Sequence, residues 1–157
     1  MNTDEFYLNL AISRAIEGVK NKEGGPFGAV IVLNGEIISV ANNRVLATLD
    51  PTAHAEIVAI RSACIKLGRF QLDDCTIYAS CEPCPMCFGA IYWARPYRLV
   101  YAATRHEAAA QGFDDSMIYD EIQIPIVNRI IKTHHIHLQN AQNPFEWWRQ
   151  WGDKKLY

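Results

Sequence analysis

Hydrophobic positions recur along this chain with two periods, one helical and one alternating, and the chain switches between them at short intervals. Residues 4–19 place Phe6, Leu10, Ala11, Ile16 and Val19 at helical spacing, with Asn2 or Thr3 ahead of them as a cap. Gly24, Gly25 and Pro26 break that pattern. Residues 29–33 and 36–40 read as two strands joined at Asn34-Gly35, a pair suited to a tight hairpin turn. Asp50, Pro51 and Thr52 then open a helix predicted to run to residue 67, with Ile57, Ile60, Cys64 and Leu67 as its apolar stripe and Gly68 as its stop. A strand follows over 75–80, a helix between Pro83 and Pro96, a strand over 98–102, an alanine-rich helix over 105–110 and a short helical turn over 117–121. Beyond Pro125 the pattern predicts a strand over 130–138 and a last helix starting near Pro144 with Asn143 as its cap. Helices alternating with short strands imply a three-layer α/β/α sandwich around one mixed sheet, and 157 residues suit a single domain, 1–157.

Composition narrows the function classes. Half of the residues are hydrophobic and a fifth are charged, which fits an ordered globular chain. No apolar run approaches the roughly 20 residues of a membrane span, so no membrane partner is expected. The opening Met-Asn-Thr-Asp-Glu lacks the basic and apolar parts of a secretory signal, so a cytoplasmic protein is expected. In that reducing compartment the five cysteines are expected as thiols or metal ligands. The formal charge is −2, from 15 Lys and Arg against 17 Asp and Glu. With no basic excess or stripe to grip a phosphate backbone, a small neutral substrate is favoured and no nucleic-acid partner is expected.

Two short motifs carry the chemistry: His54-Ala55-Glu56, and Pro83-Cys84-Pro85-Met86-Cys87. Catalytic zinc takes three protein ligands and leaves a fourth position for water, and His54, Cys84 and Cys87 meet that count. Cys84 and Cys87 stand three apart at a helix start, so both thiols face one side, where the helix dipole favours thiolate. Glu56 would point away from His54 in mid-helix but not in a first turn beside a loop. As a non-ligand carboxylate it would take a proton from water and return it to substrate nitrogen. His-x-Glu followed by Pro-Cys-x-x-Cys is the pattern of zinc-dependent nucleobase deaminases. Duller readings weigh less. A redox Cys-x-x-Cys would leave His54 and Glu56 without a role, and a structural zinc would want a fourth ligand. Cys81 offers one, in Cys81-Glu82-Pro83-Cys84, but sits at a strand end outside the deaminase pattern. Cys64 and Cys75 fall on apolar faces as ordinary buried thiols, and His134, His135 and His137 read as surface or edge-strand residues.

The motifs resemble those of the cytidine deaminase superfamily and, within it, its bacterial guanine deaminase branch. The resemblance runs from end to end through GGPFGAVIV (24–32), DPTAHAE (50–56), QLDD (71–74), SCEPCPMC (80–87) and AIYWARP (90–96). The more particular marks of the guanine branch are GFDDS (112–116) and the closing KKLY (154–157). It implies a five-stranded mixed sheet, one catalytic Zn2+ per subunit and hydrolysis of guanine to xanthine and ammonia. It implies that Glu56 carries protons, that Asn43 hydrogen-bonds the purine and that Phe27 packs against the base. Asp115 would read the guanine edge and assist the second proton transfer. Tyr157 would reach a neighbouring subunit's pocket in a domain-swapped homodimer, with residues from about 140 to 157 at the interface. Leu156 departs from the pattern, since some relatives carry an acid there. Taken alone, Asn43 is also an ordinary loop residue, Phe27 a core residue, and Asp114-Asp115 a turn or cap. Trp147, Trp148 and Trp151 suit a core or an interface equally. Rival readings are a transfer-RNA adenosine deaminase, a cytosine or cytidine deaminase and, in a different class, a non-catalytic zinc or RNA-binding module.

Overall fold

The computed structural model describes residues 3–157. Two compact units divide the chain, the first ending at Ser116 and the second running from Met117 to Tyr157.

The first unit is built on strands β1 (Gly28–Leu33), β2 (Glu36–Asn42), β3 (Cys75–Cys81) and β4 (Arg98–Ala103) in the order β2-β1-β3-β4. β1 pairs antiparallel with β2 and β3, and β3 pairs parallel with β4, so the sheet is mixed as expected. Asn34 and Gly35 both adopt positive φ, 49° and 84°, the left-handed turn that a right-twisted hairpin accepts. β1 reads as an unbroken apolar run because both of its faces are covered.

Val30 and Val32 face helix α1 (Thr3–Lys20) with Tyr7, Ala11 and Tyr78. Ala29 and Ile31 face the other layer, α3 (Ala55–Leu67) and α4 (Pro85–Ala94). Both layers lie closer to the sheet than the large apolar residues suggested. α1 buries Tyr7, Ala11, Ala15 and Gly18, while Phe6, Ile16 and Val19 of the expected face stay about half exposed. The reason is steric: Gly28 passes so near α1 that a Cβ there would lie 2.0 Å from the Ala11 carbonyl, so only small side chains fit between. In α3 the deepest residues are likewise Ala55, Ala59 and Ala63, with Ile60, Cys64 and Leu67 at the margin.

Several boundaries differ from expectation. α1 begins at Thr3, and Asn2, the other expected cap, lies outside the described residues. Asp50, Pro51 and Thr52 form a turn rather than a helix start, because Asp50 Oδ1 accepts from both the N–H (2.8 Å) and the hydroxyl (2.7 Å) of Thr52. A four-residue helix, α2 (Val45–Thr48), precedes it. α5 (Arg105–Ala109) starts in a complete capping box between Thr104 and Glu107.

The second unit holds most of α6 (Ser116–Gln123), a 3-10 turn (Ile126–Asn128) and α7 (Asn143–Gln150). Asn143 is the first residue of α7 rather than its cap; Gln142 precedes it with near-helical backbone and no capping bond. Residues 130–138 form no strand, and among the described residues the sheet has four strands rather than five. Residues 130–138 pair with no described strand, and the outer edge of β4 carries none. No residue from Met117 to Tyr157 is buried. No helix among the described residues is long and apolar enough to cross a membrane.

Candidate metal and substrate site

The site forms where two helices begin. His54 is the N-cap of α3 and Cys84 the N-cap of α4, each with extended backbone (ψ 156° and 167°) that turns its side chain toward the gap between the helix ends. Cys87 follows in the first turn of α4 and is fully buried. His54 Nδ1 lies 3.5 Å from Cys84 Sγ and 3.4 Å from Cys87 Sγ, and all three ligand atoms fall within 4.8 Å of one another. A tetrahedral zinc with ordinary bond lengths separates its nitrogen and sulfur ligands by about 3.6 Å, so these residues fit that ion. The protonation pattern agrees. Cys84 is pulled down to about 4, first by the Cys87 thiol donating to it, and the Cys87 thiol is pushed up by that same bond and by burial. The Cys84 sulfur in turn raises His54. The three groups thus hold one another's protons, the arrangement that a divalent cation displaces.

Glu56 is the second residue of α3, and this first-turn position brings its carboxyl to the Cys87 thiol. It is only 7% exposed, and burial raises it above the ordinary carboxylate range. A buried carboxyl beside a three-ligand site is a proton carrier in waiting.

The Gly-Pro loop and the end of β2 close another side. Asn43, 4% exposed, donates its N–H to the Phe27 carbonyl (2.9 Å), and its Oδ1 accepts from the N–H groups of Gly25 (3.2 Å) and Val45 (3.1 Å). Phe27 meets Phe113 edge to face, with centroids 5.0 Å apart. Glu82 ties the metal loop to α5: its N–H donates to the Ala103 carbonyl (2.8 Å) and its carboxylate accepts the Arg105 N–H (3.0 Å). The chain leaving α5 then divides the two acids. Asp114 accepts the Ser116 N–H (2.9 Å) at the start of α6, as a cap does. Asp115 turns toward the site, where burial and the Cys84 charge raise its carboxyl while Arg105 lowers it.

The first unit therefore brings Glu56 and Asp115 to His54, Cys84 and Cys87, and it pairs Asn43 with Phe27 in the neighbouring loop. Tyr157 belongs to the second unit, where its ring meets Trp148 at 6.3 Å. Cys81 stands outside the ligand trio with its thiol toward the Thr104 carbonyl, 3.6 Å away. His134, His135 and His137 are all exposed and join no metal-ligating cluster among the described residues. Sequence reasoning passed over Phe113, although GFDDS contains it, because an aromatic beside two acids gives no sign of which ring it will meet.

Residues 1–103 match the model of the cytidine and deoxycytidylate deaminase zinc-binding region. The chain belongs to that family. It is 54% identical to the guanine deaminase of Bacillus subtilis over 153 residues, 98% of each chain. The X-ray structure of the guanine deaminase from Bacillus subtilis superposes with a TM-score of 0.95 at 54% identity, again over 98% of each chain. A tRNA-specific adenosine deaminase from Aquifex aeolicus is 37% identical over 139 residues, 87% of each chain.

Proposed function

We propose that this protein hydrolyses guanine to xanthine and ammonia. The observation that carries the reading is Glu56, buried two residues beyond the His54 helix cap and at the Cys87 thiol, in a site with three metal ligands and no fourth among the described residues. A zinc ion held by His54, Cys84 and Cys87 supplies, when bound, a water made acidic enough to react near neutral pH. Glu56 takes a proton from the attacking water as its oxygen bonds to carbon 2 of guanine, and delivers it to the adjacent ring nitrogen. Asp115 assists the second proton's passage to the exocyclic amine, which departs as ammonia. Phe27 packs against the base. Asn43, whose Oδ1 is already occupied twice, offers its Nδ2 hydrogens to a purine acceptor.

Guanine is favoured over adenosine in RNA by the end-to-end likeness to a guanine deaminase and by a net charge of −2. Ammonia release by zinc-loaded protein, measured separately on guanine, adenine, cytosine and cytidine with the product identified by ultraviolet spectrum, tests this. Xanthine from guanine is expected. Ammonia from cytosine or cytidine alone would keep the reaction and discard the substrate.

A domain-swapped homodimer goes with this reading, with residues from about 140 to 157 at the interface and Tyr157 reaching the partner's pocket. Two features of the chain support it. Residues 117–157 bury nothing of their own, leaving Trp147 74% and Ile131 80% exposed. The first unit carries an apolar groove of about 670 Å³, lined by Ile12, Ile16, Phe27, Ala103, Ala108 and Phe113. Five free cysteines, two of them metal ligands in this reading, suit a reducing cytoplasm.

A further inference from the structure

We infer that Glu23 is a positioning residue for Asn43, acting through Asn42 and deciding how well the base is held rather than how fast it reacts. This rests on the reading of Asn43 as a purine contact. Asn42 is fully buried, and its Nδ2 donates to Glu23 Oε2 (2.7 Å) and to the Asn43 carbonyl (2.9 Å). Its Oδ1 has no hydrogen-bond partner among the described residues, so the Glu23 carboxylate, the one side-chain acceptor beside the Asn43 carbonyl, fixes which way this amide faces. Turned over, the amide would set its oxygen against a carboxylate oxygen. Held as it is, it clamps the peptide plane that leaves Asn43. That clamp determines whether Oδ1 of Asn43 meets the Gly25 and Val45 N–H groups and whether Nδ2 faces the site.

Glu23 joins three elements at this point. Its N–H donates to the Gly18 carbonyl at the end of α1, and its own carbonyl accepts from Ala47 in α2, both at 2.9 Å. Arg14 and Arg44 flank its carboxylate at 3.9 and 3.8 Å. There is no slack around the pair of asparagines. A Cβ at Gly18 would lie 2.3 Å from Asn42 Nδ2, and one at Gly24 would lie 2.2 Å from Asn43 Oδ1. The two glycines allow the close approach, and Glu23 gives it a direction.

The test is steady-state kinetics on guanine with zinc-loaded full-length protein, comparing wild type, N43A, E23A, E23Q, E23D and the E23A/N43A double variant. E23A is expected to raise KM about tenfold, the size of one well-placed hydrogen bond, with kcat within about twofold of wild type. Zinc content should not change. E23Q keeps an oxygen for Asn42 and should return KM close to the wild-type value. E23D keeps the charge beside the two arginines but draws the acceptor back, so KM should rise severalfold even if E23A folds poorly. The double variant should be no worse than N43A. An E23A or E23D enzyme with wild-type KM, or a double variant in which the two defects multiply in full, overturns the role of Glu23. N43A with unchanged KM overturns the reading of Asn43 itself, and the inference falls with it.

Discussion

The two units of this chain solve the problem of apolar surface in opposite ways. Up to Ser116, strands and helices bury Ala29, Ile31, Ile77 and Leu72 completely, and the helix starts they position carry the three residues that could ligate a metal. From Met117 onward the sequence is richer still in isoleucine and tryptophan, with seven and three in 41 residues against ten and one in the first 116, yet nothing is buried. Apolar content alone therefore does not make a core. The first unit has a sheet to pack against, whereas the second has two helices and a stretch of unpaired backbone.

The strongest way to sharpen that comparison is to disable chemistry in the first unit without disturbing either fold. Glu56→Gln removes the proton carrier but keeps shape and volume. Turnover of guanine should fall by about 10²–10⁴-fold while zinc content and sedimentation stay as in wild type. Near-normal turnover in a zinc-loaded variant would sink the role given to Glu56.

Next comes a matched pair of truncations. Ile77 is fully buried, and Ile77→Ala should cost about 2–5 kcal/mol in denaturant unfolding at any protein concentration. Ile131 is 80% exposed, and at concentrations where chains are separate Ile131→Ala should stay within about 0.5 kcal/mol of wild type. If the second unit is completed by a second copy, a cost for Ile131→Ala appears only as concentration rises. A cost that ignores concentration would show that this segment finds its cover within its own chain. Trp147→Ala is a direct probe of the same idea. As an exposed indole on α7 it should weaken the dimer about tenfold or more by sedimentation, with little effect on the unfolding of dissociated chains.

How far the sequence foretold this arrangement follows the same division. Asn34-Gly35 gave the hairpin outright, because a turn with two positive φ angles admits few residue types. The metal trio was legible because each ligand lies at a helix cap or in a first turn, at a fixed spacing. Face selection in α1 was legible only at Leu10 and Ala11: Phe6, Ile16 and Val19 outrank Ala15 and Gly18 in hydrophobicity, but close approach to Gly28 rewards the smaller set. α2 was hidden because it is four residues long, and the start of α3 because a side-chain turn at Asp50 imitates a cap. Glu23 and Phe113 were invisible because each acts on a neighbour far away in sequence.

The smallest effect lies back in the first unit, at the link between α1 and the sheet. Asp4 accepts from the Tyr78 hydroxyl (2.8 Å) and from Arg98, and these bonds, Tyr78's first, hold its carboxyl below its ordinary value of 3.8. Burial first, and then the bond to Asp4, push Tyr78 up from 10.0 to about 12. The two shifts set opposite limits. A carboxyl depressed in the folded state stabilises it above the unfolded pKa and stops doing so as pH falls through the folded one. A phenol raised in the folded state stabilises it below the unfolded pKa and stops as pH climbs through the folded one. The link should therefore be at full strength between about pH 4 and pH 10 and weaken outside that window. Asp4→Asn should abolish the link's acid limb in a thermal-stability profile and trim the alkaline limb, which rests first on burial of Tyr78, while Tyr78→Phe should abolish the alkaline limb and shrink the acid limb to what Arg98 alone sustains. Because Asp4 is only partly buried and salt screens such contacts, the change on the acid side should be small and should shrink further as salt is raised. Acid limbs that coincide for Asp4→Asn and wild type at low salt would show that the Asp4 carboxylate adds nothing to the hold of α1 on the sheet.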